Sequence, residues 1–178
     1  AMAALLALDT DKVKEICESV SKETGETVVL ANDNCPGQVV VSGETSAIDR
    51  LLEVATEAGA KRAVKLAVSV AAHSPLMASA SEAFQKAIAV KADITIIANV
   101  SAAPVNSVDE IRDELNQQLT QSVRWTESMQ ALIDAGAETF VEIGSKDVLS
   151  GLMKRIDRSK SRVTLNSVSA LEAFLGEN

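Results

Sequence analysis

The sequence predicts an α/β protein that opens with a small α+β subdomain. Three observations carry that expectation: a β-α-β-β-α-β order within the first 68 residues, an alternation of helix and strand after them, and later strands that are apolar on both faces. Residues 2–8, MAALLAL, read as a buried strand. Asp9 and Thr10 then offer capping oxygens to a helix whose apolar positions, Val13, Ile16, Cys17 and Val20, share one face. On that face Cys17 reads as a small core residue rather than a redox group. Gly25 ends the helix as a C-cap, and the β-branched run 28–32 leads through the turn Asp33-Asn34-Cys35-Pro36-Gly37 into a strand at 38–43. A second amphipathic helix, with Ile48, Leu51, Leu52, Ala55 and Ala58 on one face, stops at Gly59 before a fourth strand at 62–68. This is the split-βαβ, or ferredoxin-like, arrangement.

Beyond a boundary near residue 68 the pattern changes. Helices are expected near 76–90, 108–120, 125–135 and 147–157, strands at 93–100, 139–144 and 162–167, and a short helix at the end. The division is therefore 1–68 for the small subdomain and 69–178 for a covered, mostly parallel α/β portion. A sheet of three strands is too small for the apolar helices around it. Together with an opening that starts inside a strand, this makes a fragment of a larger fold the expectation.

Bulk properties exclude several function classes. The chain has 178 residues, 47% hydrophobic and 24% charged, which suits an ordered globular protein. A formal net charge of -8 disfavours a nucleic-acid surface. The only aromatics, Phe84, Trp125, Phe140 and Phe174, offer no base-stacking platform. No apolar run reaches the roughly 18 residues of a membrane span, so a cytoplasmic protein is expected. Cys17 and Cys35 are too few for a disulfide framework and lie in no metal-binding motif, so reduced thiols and no metal or cofactor are expected. Lys154, Arg155, Arg158, Lys160 and Arg162 crowd one segment, which could meet an acidic partner; a solvated helix end complementing its dipole is the plainer reading.

One side chain stands out chemically. His73, the only histidine, lies in SVAAHSPLM at the junction of the two halves, after a strand and before a helix. A lone histidine is more often structural than catalytic, but a junction between rigid elements is where sites are commonly built. No GxSxG elbow accompanies it: Ser145 sits in IGSKD, Ser150 in VLSGL and Ser42 in VVSGE. A P-loop and a GxGxxG after a strand are also missing from the sequence.

Five segments, taken in order and spacing, resemble one family. AMAALLALD, ANDNCPGQVVVSG, EAGAKRAVKLAVSVAAHSPLM, QLTQSVRWTESM and FVEIGSKDVLSGLMKRID are similar to the malonyl-CoA:acyl carrier protein transacylases and the acyltransferase domains of fatty-acid and polyketide synthases. The resemblance implies an α/β-hydrolase-like domain carrying a ferredoxin-like subdomain, with this chain as its C-terminal portion and the site in the cleft between the two. It also implies transfer of a malonyl group from malonyl-CoA, as substrate, to the phosphopantetheine thiol of acyl carrier protein through an acyl-serine.

Residue by residue, the resemblance makes His73 the general base toward the serine. It makes Gln118 the residue whose main-chain carbonyl accepts a hydrogen bond from the histidine, its side chain carrying little of that role. Asn32 and Asn34 match the family's NxN before PGQ and are expected to contact the acyl group or pantetheine; turn chemistry alone would also account for them. Ser145 and Lys146 replace a frequent Pro-Gly, and Ala72 stands where many relatives have a larger residue. The family's serine, oxyanion donors and malonyl-binding arginine fall outside this chain. The chain alone is therefore expected to be inactive and to need a complementary N-terminal segment. The alternative is a non-catalytic truncated paralogue that binds acyl carrier protein or coenzyme A, and a more distant one is another α/β hydrolase sharing the scaffold.

Overall fold

A computed structural model describes residues 1–88 and 94–176, and it divides into two compact units, 1–128 and 129–178. The first unit begins with the strand β1 (Met2–Leu6), the helix α1 (Thr10–Thr24), the hairpin strands β2 (Val28–Cys35) and β3 (Gln38–Gly43), the helix α2 (Thr45–Glu57) and the strand β4 (Arg62–Lys65). The sheet runs β4-β1-β3-β2, antiparallel at each of these pairings, which is the ferredoxin-like order read from the sequence.

The periodicity of α1 explains how this unit holds together. Asp9 caps the helix by accepting a hydrogen bond from the Asp11 amide at 3.0 Å, and Gly25, at φ 71°, ends it with its N–H donating to the Ser21 carbonyl. Its buried residues are Val13, Ile16, Cys17 and Val20, the apolar face expected from spacing. They pack with Ile48, Leu51 and Ala55 of α2 against Ala3, Leu5, Val28, Val39 and Val41 of the sheet. Full burial of an aliphatic side chain of this size contributes about 1.5–3 kcal/mol, so this cluster dominates the stability of the small sheet. The opposite face, formed by Met2, Ala31 and Val40 with Ala4 beside them, is covered by Leu66 and Ala72. The segment that leaves β4 thus crosses the back of the sheet on its way to His73.

Two expectations for this region need correction. The turn expected at 33–37 is only Pro36-Gly37, because β2 continues to Cys35, which pairs with Gln38. Proline presets the first turn position and Gly37, at φ 71°, takes the left-handed second one, so the chain reverses in two residues. The sheet also has a fifth strand that was not anticipated: β7 (Val123–Arg124) lies parallel to β2, pairing Asn32 with Val123 and Asp33 with Arg124.

After β4 come a 3₁₀ turn (Pro75–Met77), α3 (Ala78–Ala87), the short pair β5 (Ile96–Ile97) and β6 (Pro104–Val105), and α4 (Val108–Gln118). The strand expected at 93–100 is confined to Ile96–Ile97 and pairs antiparallel with β6, forming its own two-stranded sheet; Asp93 lies outside the described residues. Ala98, Val105 and Ile111 form a small core here, joined by Ile96 and Leu115. A capping box starts α4: Ser107 Oγ accepts from the Glu110 amide, and the Glu110 carboxylate accepts from the Ser107 and Asn106 amides. These amides, with the Ser107 hydroxyl, hold the Glu110 carboxyl below the usual carboxylate range.

Helix α5 (Trp125–Asp134) begins in the first unit. The second unit contains β8 (Thr139–Ile143), α6 (Val148–Ile156), β9 (Ser161–Leu165) and α7 (Val168–Gly176). Strands β8 and β9 are parallel and in register from Thr139 with Ser161 to Ile143 with Leu165. The Glu142 carboxylate caps α6 by accepting from the Leu149 and Ser150 amides at 3.1 and 2.7 Å. Burial works against its ionisation, but the amides of Ser150, Leu149 and Val148 and the Ser150 hydroxyl together hold it below the usual range. No described helix is long and apolar enough to cross a membrane.

Candidate active site around His73

His73 is held in an uncommon backbone conformation. Its φ is 57°, in the left-handed region, which histidine tolerates better than most residues at a cost on the order of 1–3 kcal/mol. The turn around it is tied on both sides. Fully buried Ser74 donates its hydroxyl to the Ala71 carbonyl at 2.7 Å, and the Ser74 carbonyl accepts from the Met77 amide at 3.0 Å as the 3₁₀ turn begins. On the N-terminal side, Ala72 packs onto the Met2–Ala31–Val40 face of the sheet. The imidazole is therefore presented by a short, well-anchored turn.

The ring meets the end of α4. His73 Nδ1 lies 2.6 Å from the main-chain oxygen of Gln118, the last residue of that helix. A helix leaves its final carbonyls without intrahelical partners. Here the following turn closes on Asn116 and Gln117: the Leu119 amide donates to the Asn116 carbonyl, and the Thr120 and Gln121 amides donate to that of Gln117. The Gln118 oxygen takes the imidazole. A carbonyl can only accept, so Nδ1 carries the proton, and in the neutral ring Nε2 then holds the lone pair. The partial negative charge at the C-terminus of α4 supports the same tautomer. A neutral main-chain oxygen thus fixes the tautomer and the direction of this ring.

Two cavities flank the ring. One of about 380 Å³ is polar and open, with His73, Pro75, Thr120, Ser122 and Arg124 on its wall and Val29 and Leu30 of β2 opposite. The other, about 160 Å³, is mostly apolar, with Met77, Phe84, Leu115 and Leu119 meeting Ala72 and His73. An imidazole on the wall of a cavity can take a proton from a bound hydroxyl or thiol through its unprotonated nitrogen.

The other sequence-predicted residues are placed differently. Asn32 and Asn34 are half-buried on β2, which contributes Val29 and Leu30, not the two asparagines, to the cavity beside His73. Cys17 is buried, and burial pushes its thiol up to about 12. Ser145 and Lys146 are exposed between β8 and α6. Among the described residues, no group of three or more His, Cys, Asp or Glu side chains is arranged to hold a metal ion.

Sequence reasoning missed the residues that brace the Gln118 end of α4. Asn99 donates through Nδ2 to Gln118 Oε1 at 3.3 Å, and buried Glu114 accepts the Val100 amide at 2.7 Å. Arg124 donates its amide to the Asn99 carbonyl and its guanidinium to the carbonyls of Val100 and Ser101 while pairing with Glu127. Only Arg124 lay within a segment singled out in the sequence.

Known proteins agree with this architecture. Residues 2–169 match the family described as the acyl transferase domain. The chain is 40% identical over 176 residues to the malonyl CoA-acyl carrier protein transacylase of Bacillus subtilis (strain 168) and 42% identical over 181 residues to that of Staphylococcus aureus (strain COL). These alignments cover 97% and 99% of this chain but 55% and 58% of the relatives, so the chain spans little more than half their length. Among solved structures, the malonyl-CoA:acyl carrier protein transacylase of Xanthomonas oryzae superimposes with a TM-score of 0.92 at 38% identity, covering 99% of this chain and 57% of that one. A malonyl-transacylase solved in complex with a type II polyketide synthase acyl-carrier protein superimposes with a TM-score of 0.93 at 35% identity, covering 100% and 58%. With a family match across nearly all of its residues and the histidine loop in place, the chain belongs to the acyl transferase domain family.

Proposed function

We propose that the chain is the His73-bearing part of a malonyl-CoA:acyl carrier protein transacylase of fatty-acid biosynthesis, acting in the cytoplasm. The observation that carries this reading is the 2.6 Å contact between His73 Nδ1 and the Gln118 carbonyl, which in the neutral ring leaves Nε2 as the proton acceptor of a residue that lines an open cavity. In the transfer, Nε2 takes the proton of a serine hydroxyl as its oxygen attacks the thioester carbon. The imidazolium then returns a proton to the departing coenzyme A thiolate. The second half runs in reverse, with the pantetheine thiol of acyl carrier protein attacking the malonyl-serine ester. Gln118 serves through its main-chain oxygen. Asn32 and Asn34, two and four residues beyond the cavity residue Leu30, are assigned contacts with the acyl group or pantetheine.

In this reading residues 1–68 form the small subdomain and 69–178 the C-terminal part of the large one. The serine and oxyanion donors come from a complementary N-terminal segment of the kind that completes the longer relatives, so the chain alone has no nucleophile for His73 to activate. No cofactor enters the chemistry. Intact-mass analysis beside an assay of malonyl transfer to acyl carrier protein tests this. The expected result is no transfer by the 18.7 kDa species alone, and transfer when the complementary segment is supplied. That activity should fall by roughly 10³-fold or more in His73→Ala. Transfer undiminished by His73→Ala would overturn the assignment.

A second reading is favoured by the exposed cations Lys154, Arg155 and Arg158 at the end of α6: a non-catalytic paralogue that binds acyl carrier protein or coenzyme A. It predicts binding without turnover, strongest at low salt; an isotherm flat at low ionic strength would remove it.

A further inference from the structure

The His73–Gln118 contact depends on where a main-chain oxygen sits, and every residue type carries that oxygen. The surrounding contacts place it. Loop residues 99–101 are tied to α4 twice, by Asn99 Nδ2 on Gln118 Oε1 and by the Val100 amide on the buried Glu114 carboxylate, one helical turn before Gln118. The same loop is tied to β7 by Arg124, whose amide donates to the Asn99 carbonyl at 2.8 Å and whose Nη1 donates to the carbonyls of Val100 and Ser101 at 3.3 and 3.2 Å. Segment 119–124 is in turn fastened to β2 by the Ser122 hydroxyl on the Leu30 carbonyl and by the parallel pairing of Val123 and Arg124. The carbonyl that meets His73 thus lies at the end of a helix whose exit is held by one bracket.

We infer that Asn99 and Arg124 are positioning residues for His73, acting through the side chain and peptide of Gln118 to keep Nδ1 protonated and the Nε2 lone pair available. The inference rests on the reading of His73 as the proton acceptor, and it gives the Gln118 side chain a part that the resemblance did not. Asn99 sets the rotation of Gln118 by holding its amide. Arg124 fixes the distance between helix end and strand, with Glu127 orienting the guanidinium through its Nε and Nη2. A carboxylate orienter draws on charge and tolerates some misplacement. A lone carbonyl has only direction, which makes its support correspondingly more important.

His73 is the only histidine, so the ¹⁵N spectrum of the imidazole in this chain reports one ring. Recorded on the neutral ring at alkaline pH, the native chain should show Nδ1–H as the major tautomer. Asn99→Leu, Gln118→Met and Arg124→Met should each shift the tautomer ratio toward Nε2–H by roughly fivefold, the effect of losing one neutral hydrogen bond. Arg124→Lys should recover only part of the native ratio, because one ammonium cannot span two carbonyls and a carboxylate. Arg50→Met, which removes a surface ion pair with Glu23 and Glu53, should leave the ratio unchanged. Folded Asn99→Leu and Arg124→Met proteins with the native ratio would overturn the inference; if either fails to fold, the milder Asn99→Ser decides the same question. The readout is independent of turnover. A shifted ratio upholds the bracket even where His73→Ala leaves transfer intact, and in that case only the base assignment falls.

Discussion

The two ends of the chain treat apolar surface in opposite ways. In the ferredoxin-like region the two helices and the sheet bury each other's apolar residues: Leu5, Val13, Val20, Val39, Val41, Ile48 and Leu51 are inaccessible to solvent. In the unit 129–178, the strand β8 leaves Val141 and Ile143 open, the latter 80% exposed, and Val168 and Leu175 of α7 are 73% and 66% exposed. Apolar side chains at this exposure contribute little to the unit's own stability. The ferredoxin-like region is thus a closed packing problem, whereas the β8–β9 unit is an open one.

The contrast can be broken by substitution, and the largest effect is expected in the closed region. Leu5→Ala should destabilise the chain by about 3–4 kcal/mol in urea unfolding, since a fully buried leucine loses its transfer term and leaves a cavity between α1 and α2. A cost below about 1 kcal/mol would mean the sheet and helices are not the self-sufficient core described. Next is Ser107→Ala, which removes one half of the capping box on α4 and should cost about 1 kcal/mol, read as a lower urea midpoint at unchanged slope.

Ile143→Ser, in the open unit, should change stability by less than about 0.5 kcal/mol while reducing binding of a hydrophobic dye. A large loss there would show that Ile143 is already covered in solution.

The remaining test is a matter of pH. Burial raises the Cys17 thiol from 9.0 to about 12, so the folded state favours the neutral form. The stability gained this way is complete below the unfolded value near 9.0 and is lost as pH climbs toward 12. Cys17 and Cys35 are both buried, so a thiol reagent should label neither in the native chain at pH 8 and both after denaturation. Native labelling would mean that the closed region opens locally.

Much of this was legible before any coordinates. The α1 face, its Asp9 and Gly25 caps and the ferredoxin-like order follow from spacing and capping chemistry, which act within a few residues of one another. The resemblance carried by HSPLM and VRW pointed to His73 and to the Gln118 carbonyl. The two-residue strands were not legible, because Val123–Arg124 and Pro104–Val105 are too short to show a period. The expected β2 stopped at Asn32 because Asp, Asn and Pro-Gly read as turn chemistry, whereas pairing with β3 carries the strand through Asp33 to Cys35 and Asp33 also pairs with Arg124 of β7.

What the sequence by itself determined is therefore the set of strongly periodic elements, their caps and the chemical identity of the one imidazole. What only the tertiary structure decided is the parallel pairing of β7 with β2, the left-handed turn at His73, and the bracket of Asn99, Glu114 and Arg124 around the end of α4. The physical reason is that several of these contacts end on main-chain oxygens or amides. Such groups are the same in every residue, so their partners are chosen by where the chain is brought rather than by which side chains it carries.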